Sequence, residues 1–200
     1  MTVRSFRLTS VLVAAAVSLA PSIASAQQTV PRTMAKSGAK KTREAQVPAP
    51  GGGQPTLLGQ YCEWGAYAVN ASGNKICFAL AKPLDSRTKP PNRPRDPSYL
   101  FVTSRPAENV RNEVSVMIGY SFKPGSDASI EIGPAKFAMY TQSDGAWIKN
   151  AAEEARMVEA MRKGADVVVT GTSARGTQST DRYSLKGLAQ ALDRAAQECK

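Results

Sequence analysis

Residues 63–81, EWGAYAVNASGNKICFALA, decide the fold, because two runs of small, β-branched and aromatic residues flank a short polar loop. The runs 63–69 and 75–81 each have the length and composition of a β-strand. The loop between them, 70–74, contains Ser72 and Gly73 and is typical of a turn. The sequence therefore predicts an antiparallel hairpin near the start of the folded part.

Further runs of the same kind follow this hairpin. They lie at 99–103, 113–120, 128–132, 136–141, 166–172 and 177–183, and most are separated by loops rich in Gly, Pro, Asn, Asp or Ser. Short strands at such spacing are typical of an antiparallel sandwich. We expect a mainly β fold.

Two short helices are expected as well, the second of them C-terminal. The first runs from a cap at Asn150 to Lys163 and ends at Gly164, with acidic residues in its first turn. The second follows a cap at Ser184. Its apolar residues recur at spacings of three and four, so they share one helix face, and Cys199 belongs to that face.

The first 26 residues have the three parts of a secretory signal peptide. Arg4 and Arg7 are basic, residues 8–20 are mostly apolar, and Ala24 to Ala26 supply small residues for cleavage. The apolar run is shorter than the roughly 20 residues that span a membrane. We expect cleavage near Ala26, no stable membrane insertion of the mature chain, and a location in the periplasm or outside the cell.

Residues 27–59 are rich in Lys, Ala, Pro and Gly, and predict a disordered basic linker before one folded domain at 60–200. Between Gln27 and Leu57, five basic residues accompany a single acidic one, Glu44, and the whole chain has a net charge of +10. Because export argues against a nucleic-acid partner, we expect an envelope protein, a host protein or an anionic polymer instead.

Three cysteines in an oxidising compartment suggest one disulfide and one free thiol. If the hairpin pairs Cys77 with Ala68, then Cys62 lies six residues further along its own strand. At about 3.3 Å per residue this separates Cys62 from Cys77 by roughly 20 Å, whereas a disulfide needs Cα atoms within about 7 Å. We therefore predict a Cys77–Cys199 disulfide, with Cys62 unpaired.

The composition offers little for catalysis. The chain has no histidine, which excludes Ser-His and Cys-His nucleophilic pairs, and its cysteines form no CxxC motif. No glycine pattern typical of nucleotide binding follows a strand-like run. We expect no catalytic residue, no metal and no cofactor.

The segment 89–95, KPPNRPR, is stiffened by three prolines and presents three cations. Lys89, Arg93 and Arg95 are therefore candidates for contact with an acidic partner. The alternative interpretation is a polar crossover between strands. For the aromatic residues of the strands we expect core packing, and the alternative is a ligand-binding aromatic shelf.

The order of several short motifs resembles a known family. They are Trp64 to Tyr67, Cys77 to Leu80, Phe137 to Tyr140, Asp144 to Trp147, residues 167–172 and the closing segment 183–192, YSLKGLAQAL. Together they resemble the invasion-associated locus B family of small secreted or periplasmic bacterial proteins, over roughly residues 58–200. The resemblance implies an immunoglobulin-like β-sandwich. Because Ala68 stands where many relatives have a cysteine, the family's disulfide pattern is not carried over.

Two functional hypotheses follow. The first is a non-catalytic exported envelope protein that binds a protein or an envelope polymer, with host-cell interaction as a further expectation from the family's name. The second is a histidine-independent envelope hydrolase or a carrier of small ligands, for which a pocket lined by Lys89, Arg93 or Arg95 together with carboxylates would be evidence.

Overall fold

The computed structural model describes residues 47–200, so the predicted signal peptide and residues 27–46 of the predicted linker lie outside the described residues. The described chain forms eleven strands and two α-helices. The strands are β1 (Thr56–Tyr61), β2 (Trp64–Ala71), β3 (Asn74–Ala81), β4 (Asp85–Lys89), β5 (Tyr99–Arg105), β6 (Val110–Met117), β7 (Ala128–Ile132), β8 (Ala135–Gln142), β9 (Gly145–Ile148), β10 (Asp166–Thr172) and β11 (Gln178–Ser184). The helices are α1 (Glu154–Lys163) and α2 (Leu188–Glu198).

All strand pairs are antiparallel, and they form one hydrogen-bonded ladder in the order β1-β2-β3-β5-β6-β9-β8-β7-β10-β11-β4. The predicted hairpin is β2–β3, and its register pairs Cys77 with Ala68 as expected. The mainly β, antiparallel, sandwich-like fold with two helices, the second C-terminal, is confirmed.

The sheet buries apolar side chains on both of its faces. The main core takes inward-facing residues from most strands and the apolar faces of α1 and α2, including Met157 and Leu188. A second cluster lies on the outer face of β2, β3 and β5 and centres on Phe78 and Phe101. Since both faces of these strands are apolar, their sequence reads as nearly continuous hydrophobic runs rather than as a strict alternation.

The folded part begins earlier than the predicted boundary at residue 60. Thr56–Tyr61 pairs with β2, and Val47 and Ala49 pack against the outer cluster. A Cβ atom on Gly51 would lie 2.9 Å from the Ile76 side chain, so the glycine-rich segment lies close against the sheet. The prediction of disorder is therefore wrong for the end of this segment, because lack of bulk permits close packing as well as flexibility.

The predicted cap and end of α1 are confirmed, whereas the predicted start of α2 is wrong. The Asn150 side chain accepts a hydrogen bond from the Ala152 N–H, and a short 3₁₀ turn then leads into α1, which ends before Gly164. Ser184, the predicted cap of the second helix, is instead the last residue of β11, and its hydroxyl accepts from the Lys186 N–H. α2 begins only at Leu188.

Glu154 is half-buried at the start of α1. Its carboxylate accepts a hydrogen bond of 2.9 Å from the Val114 N–H in β6. Burial raises the pKa of the Glu154 carboxyl, and the bond from Val114 opposes that rise. The contact ties the first turn of α1 to the sheet.

The closing motif is joined to the first hairpin by direct contacts. The fully buried Trp64 donates its indole N–H to the Ser184 carbonyl at 2.8 Å. Gly187 has a φ of +97°, and a Cβ atom there would lie 1.9 Å from the Tyr61 carbonyl oxygen. Only glycine combines this backbone conformation with so close an approach. These contacts set the point where α2 starts.

The structure contains the predicted Cys77–Cys199 disulfide, with Cα atoms 6.0 Å apart, and Cys62 is a free, exposed cysteine. Cys62 lies in the turn between β1 and β2 with a φ of +50°, so it does not continue β2 as the distance argument assumed. The bond connects residues 122 positions apart and fastens α2 to β3.

Substitution of Gly187 tests the contact with Tyr61. We expect Gly187→Ala to lower the free energy of unfolding by about 3 kcal/mol, since it combines a left-handed backbone with a steric clash. Gly176→Ala is the control, because Gly176 also has a positive φ, +79°, but has open space around it. That variant should lose about 1 kcal/mol. Equal losses in urea denaturation would contradict this account.

Removal of the disulfide should also destabilise the fold. Because the bond closes a long loop, the Cys77→Ala/Cys199→Ala variant is expected to lose about 3 kcal/mol. Cys62→Ala should change the free energy of unfolding by less than about 0.5 kcal/mol, as an exposed position does. Chemical denaturation of the non-reduced protein measures the free energy of unfolding of both variants. Equal losses in the two variants would contradict the assignment of the disulfide to Cys77 and Cys199.

Candidate functional site

The crossover between β4 and β5, residues 90–98, contains two of the predicted contact residues. It is held to neighbouring segments by backbone hydrogen bonds. The Arg93 N–H donates to the Thr88 hydroxyl at 3.1 Å, and the Asp96 N–H donates to the Gly119 carbonyl at 3.0 Å. The crossover thus lies against the loop that follows β6.

Arg95 anchors this crossover. Its guanidinium forms an ion pair with Asp181 in β11 and donates to the Ile118 carbonyl at 3.0 Å and to the Ser86 hydroxyl at 3.1 Å. It also lies 5.9 Å from the centre of the Tyr120 ring, a cation–π arrangement. Its side chain is only 11% exposed. Arg95 therefore connects β4, β11 and the end of β6.

Asp181 belongs to a row of polar groups on the inner side of β11. Its side chain is fully buried, and its Oδ2 atom has no hydrogen-bond partner among residues 47–200. Its neighbours in the row, Ser179 and Tyr183, form 2.6 Å hydrogen bonds to Tyr120 and Ser98 respectively. Burial raises the pKa of the Tyr183 hydroxyl, as does the nearby Asp181 charge. A buried carboxylate is costly unless it is paired, so the Asp181 side chain depends on Arg95.

An open groove of about 960 Å³ lies outside this anchor, between the crossover and the β10–β11 turn. We call it the arginine groove. Its lining includes Thr88, Arg93, Arg95, Asp96, Tyr120, Ser121 and residues 173–177, among them Arg175. Arg93 and Arg175 are exposed and come from different segments of the chain. The groove therefore presents two guanidinium groups that have no ion-pair partner among residues 47–200, and a third, that of Arg95, is held in its wall.

The three predicted contact residues have different surroundings. Arg93 is exposed in the arginine groove, and Lys89 is exposed at the end of β4, next to the groove residues Thr88 and Pro90. Arg95 lines the groove but is engaged by Asp181, so its main contribution is to hold the crossover. A partner contact at Lys89 and Arg93 stays a prediction.

A second groove, of about 460 Å³, lies on the outer face of the sheet. The strand register places Phe101, Ser115, Trp147 and Tyr140 in one row across β5, β6, β9 and β8. The small Ser115 side chain leaves a channel between Phe101 and Trp147, and residues 49–51 form its rim. We call this channel the aromatic groove.

The Trp147 ring occupies the space above the glycine two positions before it. A Cβ atom on Gly145 would lie 2.3 Å from the ring, so any larger residue would displace it. Trp147 stacks on Tyr140 with centroids 5.6 Å apart and an interplanar angle of 22°. Tyr140 is 45% exposed. For this pair the expectation of core packing is wrong, and the alternative of a ligand-binding aromatic shelf stays a prediction.

The two grooves are joined by a depression of about 420 Å³. It shares Asp96, Tyr120 and Ser121 with the arginine groove, and Met117 and Asp144 with the aromatic groove. The three cavities therefore follow one another along the surface, from a cationic end to an aromatic end.

Sequence reasoning missed Arg175 and Asp181. Arg175 lies in a turn, where nothing in the local pattern distinguishes it from any solvated cation. Asp181 did leave a signal, because a strand that buries Tyr183 must also direct Asp181 and Ser179 inward. A charge at an inward position indicates a buried partner.

Neither a metal-ion site nor a membrane-spanning helix is found in the part of the chain that the structure describes. Within residues 47–200, no three His, Cys, Asp or Glu side chains are placed to hold a metal ion. No helix in that range is long and apolar enough to cross a membrane.

The buried pair can be tested by removing the charge of Asp181. Asp181→Asn should lower the free energy of unfolding by about 3 kcal/mol, because Arg95 then lacks its counterion in a buried setting. The control is Asp85→Asn, whose ion pair with Arg87 is largely exposed and should contribute less than about 1 kcal/mol. Thermal and urea unfolding measure both, and equal small losses would contradict the anchoring role.

Comparisons with known proteins agree with the motifs. The family model described as invasion associated locus B (IalB) protein matches residues 64–196. The crystal structure of invasion associated protein B from Bartonella henselae is similar at 14% identity, with a TM-score of 0.48, over 69% of this chain and 93% of that chain. Comparison with curated proteins finds no significant match. Because the family model covers most of the chain, this protein belongs to the invasion associated locus B family.

Proposed function

We propose that this protein is a non-catalytic, exported envelope protein that binds an anionic partner through the arginine groove. One observation carries the proposal: Arg93 and Arg175, from separate segments, flank one groove whose wall is fixed by the buried Arg95–Asp181 pair. Guanidinium groups bind carboxylates and phosphates through paired hydrogen bonds. A rigid wall keeps the cost of ordering the site low.

The balance of charge supports an anionic partner. The chain carries 26 basic and 16 acidic residues, and Lys89 adds a further exposed cation beside the groove. Exposed charges attract a partner over about 10 Å at moderate salt, so binding should weaken as ionic strength rises. An acidic stretch of an envelope or host protein and an anionic envelope polymer both have the required chemistry.

Three of the five hydroxyl groups that line the groove are engaged in structural hydrogen bonds. The Ser173 hydroxyl accepts from the Thr177 N–H at 3.1 Å, the Thr88 hydroxyl from the Arg93 N–H, and the Tyr120 hydroxyl pairs with Ser179. A serine nucleophile needs a base within hydrogen-bond distance. These contacts favour binding over hydrolysis.

Export is part of the proposal. It rests on two observations. Residues 1–26 have the pattern of a signal peptide, and the chain belongs to the invasion associated locus B family, with which an export signal is consistent. The mature chain then begins at Gln27, and the Cys77–Cys199 disulfide forms in an oxidising compartment.

A carrier of small ligands is the second candidate, and the size of the arginine groove favours it. About 960 Å³ is within the range of small-molecule sites, and Asp96 provides a carboxylate beside the arginines. A small anion that stays bound through native mass spectrometry of the purified protein would support the carrier over the macromolecular binder.

Removal of the Arg93 and Arg175 guanidinium groups tests the proposal. We expect Arg93→Ala/Arg175→Ala to lose the partner that the wild-type protein recovers when it is crosslinked in intact cells. Arg111→Ala/Lys186→Ala is the matched control, because it removes the same charge from exposed positions outside the groove. The control should recover the partner as the wild type does.

Two results would overturn this function. One is equal recovery by the wild type and the Arg93/Arg175 variant. The other is that no partner is recovered with any of the proteins. A deletion strain tested for host-cell entry and for detergent sensitivity then separates a host-directed role from one in the envelope itself.

A further inference from the structure

We propose that the aromatic groove extends the arginine groove, and that the combined site takes an extended acidic glycan whose sugar rings pack on Tyr140 and Trp147. The inference rests on the proposed function, because it uses the arginine groove as the end that binds the acidic groups. The connecting depression makes one continuous path between the two ends. The site is therefore longer than the cationic groove alone.

The shape of the aromatic end favours a flat, partly apolar ligand. The Trp147 ring lies over Gly145 and stacks on Tyr140, which is 45% exposed. The channel over Ser115 is shallow because β6 itself forms its floor. A sugar ring offers a flat apolar face of C–H groups, which suits such a platform, whereas an inserted leucine or phenylalanine side chain needs a deeper pocket.

The depression that joins the two grooves favours a ligand whose hydroxyl groups donate hydrogen bonds. Asp96 and Asp144 are exposed there, and both line the depression. Carboxylates accept hydrogen bonds from sugar hydroxyls. An acidic glycan carries hydroxyl groups on every ring, whereas an acidic peptide such as polyglutamate has no hydroxyl to donate. Cations at one end and hydrogen-bond acceptors in the middle therefore favour an acidic glycan over an acidic peptide.

The floor of the groove gives no backbone pairing to a peptide. β6 is hydrogen-bonded to β5 on one side and to β9 on the other, so its N–H and C=O groups are already used. Peptides that bind sheets by strand addition need an unpaired edge. A ligand in the aromatic groove must therefore bind through side-chain contacts alone, as a glycan does.

Defined probes test the inference. The intact mature protein is titrated at low salt with tetragalacturonate, with the neutral cellotetraose and with hexaglutamate, and binding is measured by tryptophan fluorescence and calorimetry. We expect tetragalacturonate to bind most tightly. Tyr140→Ala should weaken its binding about tenfold, the effect of losing roughly 1.4 kcal/mol of ring packing, and should leave hexaglutamate binding unchanged.

Two further variants keep the test independent of folding. Ser115→Leu fills the channel but removes no aromatic ring, and it should weaken tetragalacturonate in the same way. Leu84→Ala is the control, because Leu84 is 49% exposed and does not line either groove. It should bind all probes as the wild type does. The Arg93→Ala/Arg175→Ala variant should weaken both acidic probes.

The outcomes separate the two proposals. Binding of hexaglutamate without tetragalacturonate, or tetragalacturonate binding that is unaffected by Tyr140→Ala and Ser115→Leu, overturns the glycan site and leaves the proposed function standing. Cellotetraose binding as tightly as tetragalacturonate overturns the acidic part of the inference. If none of the probes binds, the glycan site is wrong, and crosslinking in cells still decides the proposed function.

Discussion

The buried ion pair between Arg95 and Asp181 is the contact on which the functional end of this molecule depends. It joins the crossover before β5 to β11, and the bonds from Arg95 to Ser86 and Ile118 bring in β4 and the end of β6. A charge pair taken out of water contributes little net stability, but breaking it leaves one charge stranded. The pair therefore gives this junction one defined arrangement, and the groove forms outside it.

The C-terminal helix is attached by different means. Trp64, Gly187 and the Cys77–Cys199 bond attach the C-terminal helix to the first hairpin through a hydrogen bond, a close backbone approach and a covalent link. These residues include the motifs by which the family was recognised. The family signature thus describes mainly how the domain closes. The arginine groove is lined largely by loop residues that the motifs do not include, whereas the aromatic groove takes Tyr140, Asp144 and Trp147 from the motifs. This is why membership of the family leaves the partner undetermined.

The strands that the sequence predicted well are those with an apolar face. β7 and β10 have the predicted bounds, whereas the two end strands of the sheet, β1 and β4, and the four-residue strand β9 were missed. DSRTK in β4 carries no apolar residue, and β1 directly follows the glycine-rich segment that was predicted to be a linker. End strands are stabilised by pairing on one side rather than by burial, so composition does not mark them. Arg93 and Arg95 were predicted as contact residues and line the groove, but the contribution of Arg175 was missed, since Arg93 and Arg175 come together only through the register of β4, β10 and β11.

The central claim is that anions bind between the crossover and the β10–β11 turn. The most direct measurement is amide chemical-shift mapping of the mature protein during titration with tetragalacturonate and with hexaglutamate. The account predicts that both probes shift the amides of residues 93, 95, 96, 120–121 and 173–177, and that the shifts disappear in the Arg93→Ala/Arg175→Ala variant. Shifts confined to other surfaces, or unchanged in that variant, would contradict it.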